Sequence, residues 1–128
     1  MATVPNDLRY TEEHEYVRAT DEDGVFEVGI TDYAQGELGD VVFVELPKVG
    51  DRYSRMQVFG TIEAVKAVSE LFTPLAGEVV AVNDSIDASP GVVNTDPYGN
   101  GWLIRVRVDD PAEVDSLLDA DAYRALTE

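Results

Sequence analysis

Lys66 stands in the segment EAVKAVSE, residues 63–70, and is one of only two lysines in the chain, the other being Lys48. An unperturbed lysine amine titrates near pH 10.4, so without desolvation it is a better attachment point for an acyl group than a nucleophile. Carboxylates flank it, Glu63 three residues before and Glu70 four residues after. A further acid, Glu15, follows the only histidine, His14, in HEY. Other chemistry finds little support. HEYVR lacks the second histidine of a zinc-protease helix, and no serine has an evident histidine and acid partner. GNGWLI carries two glycines of a dinucleotide fingerprint but has Ile104 at the third position and precedes a strand pattern, so it reads as a turn. DEDG is too short for a calcium loop and reads as a hairpin turn. His14 alone is expected at the surface or in packing, and Trp102 in the core. Cysteine is absent, which excludes disulfides, thiolate metal sites and thiol nucleophiles. Any sulfur chemistry must be borrowed.

The elements that must position these residues are mostly short strands. EYVRAT and VFEVGI flank DEDG, whose Asp23-Gly24 pair favours a hairpin. In TDYAQGELG a helix of about two turns is expected, with Thr31 as N-cap and Gly39 as left-handed C-cap. VVFVEL, VVAV and GWLIRVRV add strands between Gly, Pro and Asp punctuation. At the other end, DPAEVDSLLDADAYRAL predicts one terminal helix with Asp110 as N-cap, Pro111 at its first position and Glu113 closing a capping box. Val114, Leu117, Leu118, Ala122 and Ala125 would form its packed face. GDVVFV at Gly39 and GEVVAV at Gly77 share the pattern G-acid-V-V-x-V at an offset of 38 residues. Chance, shared strand propensity and a true repeat all explain that echo. Around Lys66 two readings fit: a helix ending before Pro74, and a hairpin with Val65-Lys66 at its tip.

Length and charge bound the rest. The 128 residues suit a single domain, 1–128. With 26 acidic against 9 basic residues the net charge is −17, which disfavours nucleic acid and anionic membranes as partners. The acids are dispersed along the whole chain, as expected of a halophilic protein kept soluble in concentrated salt by hydrated carboxylates. No run is long enough to span a bilayer and no secretory or transit pattern opens the chain, so a cytoplasmic location is expected.

GTIEAVKAVSELFTPLAGEVVAVN resembles the lipoyl-attachment segment of the glycine cleavage system H-protein family, with Lys66 at the modified position. DLRYTEEHEYV, GITDYAQGELGDVVFVELPKVGD, SPGVVNTDPYGNGWLIRVRV and LLDADAYRAL are similar to that family in the same order, so the likeness spans nearly the whole chain. Departures are small: Ala64 stands where the family usually has serine, Gly36 lies within the short helix, and Tyr16 replaces a tryptophan. The resemblance implies a mainly β fold: a flattened β-barrel or sandwich of two pseudo-symmetric sheets, with a short helix, a C-terminal helix and the lysine on a hairpin. It implies lipoate joined covalently to Lys66 as a flexible arm whose dithiolane brings the missing sulfur. A PLP-dependent glycine decarboxylase would load an aminomethyl group onto that arm. A tetrahydrofolate-dependent aminomethyltransferase would unload it, and a dihydrolipoyl dehydrogenase would reoxidise the dithiol. The chain itself would be a carrier and not an enzyme. Glu63 and Gly77 match positions read by the lipoyl-attaching enzyme, although Gly77 also suits a tight turn. Glu15 and Glu70 match acids that would hold the loaded arm. Biotin carriers have methionines around the lysine, and acyltransferase lipoyl domains have Asp before it and lack HEY and ITDYAQ. A binding module with no cofactor is the alternative from another class.

Overall fold

The structure, a computed structural model, describes residues 3–127. Its strands are β1 (Arg9–Tyr10), β2 (Glu15–Ala19), β3 (Val25–Ile30), β4 (Val41–Glu45), β5 (Arg52–Tyr53), β6 (Val58–Ala64), β7 (Val68–Phe72), β8 (Gly77–Val82) and β9 (Ile104–Val108). They form two antiparallel sheets: six-stranded sheet A in the order β1-β2-β3-β9-β8-β5, and three-stranded sheet B in the order β4-β6-β7. Alternating inward residues of both meet in one apolar core, with Val28, Ile104 and Val106 from sheet A against Val44, Ile62 and Leu71 from sheet B. Of the two expected forms, flattened barrel or sandwich, the chain takes the sandwich: neither sheet closes on itself, and the two are unequal in size.

The expected pseudo-symmetry survives in part of each sheet, and more sharply than the sequence echo shows. Val41, Phe43 and Val44 of β4 pair with Ala64, Glu63 and Ile62 of β6. Val79, Ala81 and Val82 of β8 pair with Val106, Arg105 and Ile104 of β9. A shift of 38 residues on the first strand and 42 on the second superimposes one pairing on the other. A register break falls at the same place in each, between Val41 and Phe43 and between Val79 and Ala81. A bulge lets consecutive residues face the same way and bends the strand, so its repetition marks a shared backbone design.

Helix α1 (Asp32–Leu38) has the expected ends: the Thr31 side chain accepts from the Ala34 N–H, and Gly39, at φ +83°, donates its own N–H to the Gln35 carbonyl. Two single-turn helices in the β8–β9 connection, α2 (Ser85–Ala88) and α3 (Val92–Thr95), bury Ile86 and Val93 in the same core. The predicted terminal helix is broken. Pro111–Ser116 form a 3-10 helix, and α4 (Ala120–Thr127) starts afresh after Leu118, which exchanges backbone hydrogen bonds of 2.8 and 2.9 Å with Tyr10. Asp110 caps the 3-10 turn through the Ala112 N–H, while the Glu113 carboxylate accepts from Ala76 N–H and so does not close a capping box. The buried residues are Leu117, Ala120 and Tyr123, whereas Ala122 and Ala125 face solvent. Tyr123 stacks on Tyr10 at 4.5 Å in a second apolar cluster that also holds Tyr16. Tyr16 lies opposite Gly29, where any Cβ would meet its ring, and its hydroxyl donates to the Pro97 carbonyl at 2.7 Å. The tyrosine thus fills a buried slot with its polar tip satisfied.

Candidate functional site

The segment around Lys66 is a hairpin and not a helix. In β6 Ile62 and Ala64 point inward while Glu63 points out, and β7 runs back with Glu63 opposite Val68. Period-two burial over β-branched residues decides against the helical period. The Ala64 N–H donates to the Ala67 carbonyl at 2.8 Å, which leaves Val65 and Lys66 as a two-residue tip. A second bond, from Val65 N–H to the Asp40 carbonyl at 2.9 Å, fastens this tip to the junction of α1 and β4. Lys66 is exposed, and its stem lies against Gly39: a Cβ built there would stand 3.0 Å from Lys66 Cε. Glycine is favoured at 39 by its positive φ, and the lysine stem packs into the space that a side chain there would take.

The 38- and 42-residue shifts carry Gly39 onto Gly77 and Lys66 onto Val108. Gly77 indeed lies opposite Val108, in sheet A, with Tyr53 on its other side. A Cβ at 77 would collide with the Arg107 carbonyl, so this glycine is demanded by sheet packing. Gly77 is therefore the counterpart of Gly39 and does not sit at the Lys66 tip.

Beside the tip, a cleft of about 270 Å³ opens between α1, β7 and the start of β2. Leu38, next to Gly39, belongs to its wall, as do Ile62, Leu71, Tyr33, Glu15 and Glu70. The structure thus brings Glu15 and Glu70 together, while Glu63 lies exposed on the outer face of sheet B. Glu70 is exposed at the cleft, but Glu15 is only 1% exposed. Thr11 Oγ1 accepts from the N–H groups of Glu13 and Glu15 and donates to Glu15 Oε1 at 2.6 Å. Glu15 Oε2 has only the Phe72 N–H, at a long 3.4 Å. Burial pushes the Glu15 carboxyl up to about 8, against smaller lowering by the Thr11 and Phe72 hydrogen bonds. Burial disfavours the charged form of this acid, and among the described residues lining the cleft there is no lysine or arginine to offset it.

His14 has a larger part than its isolation in the sequence suggested. It takes a left-handed φ of 71°, lines the cleft, and shares a 2.7 Å hydrogen bond with the Tyr123 hydroxyl through Nδ1. That hydroxyl also bonds Thr31 Oγ1 at 2.7 Å, so α4, the cap of α1 and the cleft form one chain of contacts. Burial lowers the imidazole pKa below its ordinary value. Trp102, expected in the core, is only half-buried, with the Arg105 guanidinium 4.3 Å over its ring.

An exposed lysine amine on a two-residue hairpin tip thus stands beside a groove with apolar walls and acids along it. Among the described residues no group of His, Asp and Glu is arranged to hold a metal ion, and no helix is long and apolar enough to cross a membrane. Residues 8–128 match the family described as Glycine cleavage H-protein. The glycine cleavage system H protein of Chlorobium limicola is 55% identical over 124 residues, covering 97% of either chain. That of Symbiobacterium thermophilum is 51% identical over 127 residues, covering 99% of this chain and 98% of the other. The crystal structure of a glycine cleavage system H protein from Mycobacterium marinum superimposes with a TM-score of 0.86 at 40% identity, covering 95% of this chain and 97% of that one.

Proposed function

The chain belongs to the glycine cleavage H-protein family, carriers and not catalysts, and we propose that it works as a single lipoyl domain, residues 1–128, with lipoate on Lys66. The observation that carries this reading is the exposed Lys66 at a two-residue tip, its stem seated on Gly39 at the mouth of an acid-lined cleft. The attaching enzyme joins the lipoyl carboxyl carbon to Nζ as an amide, with loss of a proton from the amine and of the activating group from the acyl carbon. When bound, the group supplies the dithiolane that a PLP-dependent glycine decarboxylase, a tetrahydrofolate-dependent aminomethyltransferase and a dihydrolipoyl dehydrogenase use in turn.

The residues of the chain do the rest. Lys66 loses its charge on acylation, so the stem can lie along the apolar wall of Leu38, Ile62 and Leu71 without burying an ammonium. Glu15 and Glu70 line the space where a protonated aminomethyl load comes to rest: the exposed Glu70 carboxylate holds it by a charge-assisted hydrogen bond, while Glu15, whose burial favours the neutral acid, offers an uncharged carboxyl oxygen. Leu38 and Ile62 keep water from its carbon. Glu63 and Gly77 serve the attaching enzyme, Glu63 as an exposed contact and Gly77 by preserving the sheet. The acidic surface suits a cytoplasm rich in salt.

Peptide mass spectrometry on protein purified from the native host tests the assignment. Lipoate is expected on Lys66, and Lys66→Arg is expected to fold normally while losing all glycine decarboxylation, since a guanidinium does not form the amide. Lipoate on Lys48, or full activity in the arginine variant, would overturn it.

A further inference from the structure

Strand β4 is an edge of sheet B, paired with β6 on one side only. Where it leaves α1, the Asp40 carbonyl serves the hairpin by accepting from Val65 N–H. The backbone groups on either side of Asp40 are met from the other edge by a single side chain, Asn94 of α3. Its Nδ2 donates to the Gly39 carbonyl at 2.9 Å, and its Oδ1 accepts from the Val41 N–H at 2.9 Å. The second N–H of Nδ2 donates to Gln35 Oε1 at 3.0 Å, so the carboxamide is used in full. Only one orientation of the amide satisfies the Gly39 acceptor and the Val41 donor together.

Sheet A shows what this amide replaces. The shift of 38 residues carries Asp40 onto Glu78 and Val41 onto Val79. There the outer partner is a strand: Val79 N–H donates to the Asp51 carbonyl at 2.8 Å, and Glu78 pairs with Arg52 of β5. Sheet B has no strand in that place, and an edge left bare would leave its backbone groups without partners. A carboxamide carries the donor and acceptor of a peptide group, so Asn94 supplies from a side chain what β5 supplies from backbone. It is itself well held, because its neighbour Val93 is wholly buried and Gln35 belongs to α1, the helix that walls the cleft.

We propose that Asn94 is a positioning residue of the carrier. Its carboxamide stands in for the missing edge strand and so holds the Lys66 tip, the Gly39 seat of the lysine stem and α1 in one orientation. The proposal rests on the reading of Lys66 as the attachment point. A tethered group enters its cleft at an effective concentration set by the geometry of its root, so a loose root shortens the time that a load spends sheltered. Asn94 does not line the cleft; it acts through Gly39 and Asp40.

The test compares the wild type with Asn94→Leu, which removes donor and acceptor together, and with Asn94→Asp, which when ionised keeps the acceptor for Val41 and loses the donor for Gly39. Thr95→Ala, at an exposed position of the same helix, is the control. In the unlipoylated chain, amide exchange resolved by NMR reads the tip directly. The Val65 amide is expected to exchange about tenfold faster in both Asn94 variants, as for loss of a hydrogen bond, while amides of the β8–β9 ladder keep wild-type rates. In the lipoylated, aminomethyl-loaded protein, hydrolysis of the load by water to thiol, formaldehyde and ammonium is expected to quicken severalfold in the same two variants and not in Thr95→Ala. Unchanged Val65 exchange in both Asn94 variants overturns the positioning role. So does acceleration shared by all amides in step with a lower melting temperature, which would make Asn94 a general stabiliser. Faster Val65 exchange with an unchanged load lifetime overturns the link from root to cleft. A wild-type chain that accepts no lipoate on Lys66 overturns the attachment reading instead, and the exchange rates then still decide whether Asn94 holds the tip.

Discussion

Gly39 and Gly77 stand at corresponding points of two strand pairs with one register, yet each glycine makes room for something different. At Gly39 the neighbour is the end of a lysine stem, which can move; at Gly77 it is the Arg107 carbonyl, locked in the β8–β9 ladder. Beyond Gly77 the matching strand ends at the buried Val108, whereas beyond Gly39 it turns through Val65 and Lys66 into β7. One backbone plan has thus been used once to finish a sheet and once to present an amine. The position of a glycine tells which backbone approaches closely, but only its neighbour tells whether that approach serves stability or display.

Substitution at the two glycines breaks this comparison most strongly. Gly77→Ala is expected to cost about 3 kcal/mol or more, because a methyl group displaces ladder backbone. Gly39→Ala is expected to cost about 1–2 kcal/mol for its positive φ while also slowing lipoylation. Denaturant titration gives both values, and equal costs would dissolve the distinction. The two buried glutamates sharpen it next. Glu27 lies between two arginines of sheet A, whereas Glu15 in the cleft meets only uncharged donors. With its pKa at about 8 in the fold and near 4.5 when unfolded, Glu15 holds a proton that the unfolded chain gives up between those values. Its contribution to stability is full below pH 4.5 and declines toward pH 8, by at most about 1.4 kcal/mol per pH unit. Glu15→Gln, which imitates the neutral acid, is expected to flatten that decline in melts taken from pH 5 to pH 8; an unchanged slope would show that Glu15 ionises freely. The smallest effect concerns the charge of −17. Molar potassium chloride is expected to raise the melting temperature over dilute buffer by on the order of several degrees.

Much of the fold could be read from local sequence. Thr31 and Gly39 cap α1 as their side chain and backbone freedom dictate, and β-branched residues on both sides of Lys66 describe the hairpin. The terminal helix could not be read. Its apolar spacing is helical throughout, but Leu118 commits its backbone bonds to Tyr10, and this long-range pairing overrides propensity. The site was legible in proportion to its locality. Lys66 and Glu63 share one strand and turn, whereas the burial of Glu15 arises where β2 meets β7, and His14 meets Tyr123 across 109 residues. Bulges were hidden for another reason: a single added residue reverses which side chains face outward without altering composition.

The bond between His14 and Tyr123 also sets an order of events during synthesis. The β6–β7 hairpin needs only neighbouring residues, so the tip can form while the ribosome is still translating β8 and β9. The cleft is completed later, because β3, paired at first only with β2, gains its second partner β9 afterwards, and His14 waits for a tyrosine made more than a hundred residues later. A nascent chain halted before residue 104 would therefore display its lysine with no shelter for a cargo, and translation would complete the carrier's hook well before its harbour.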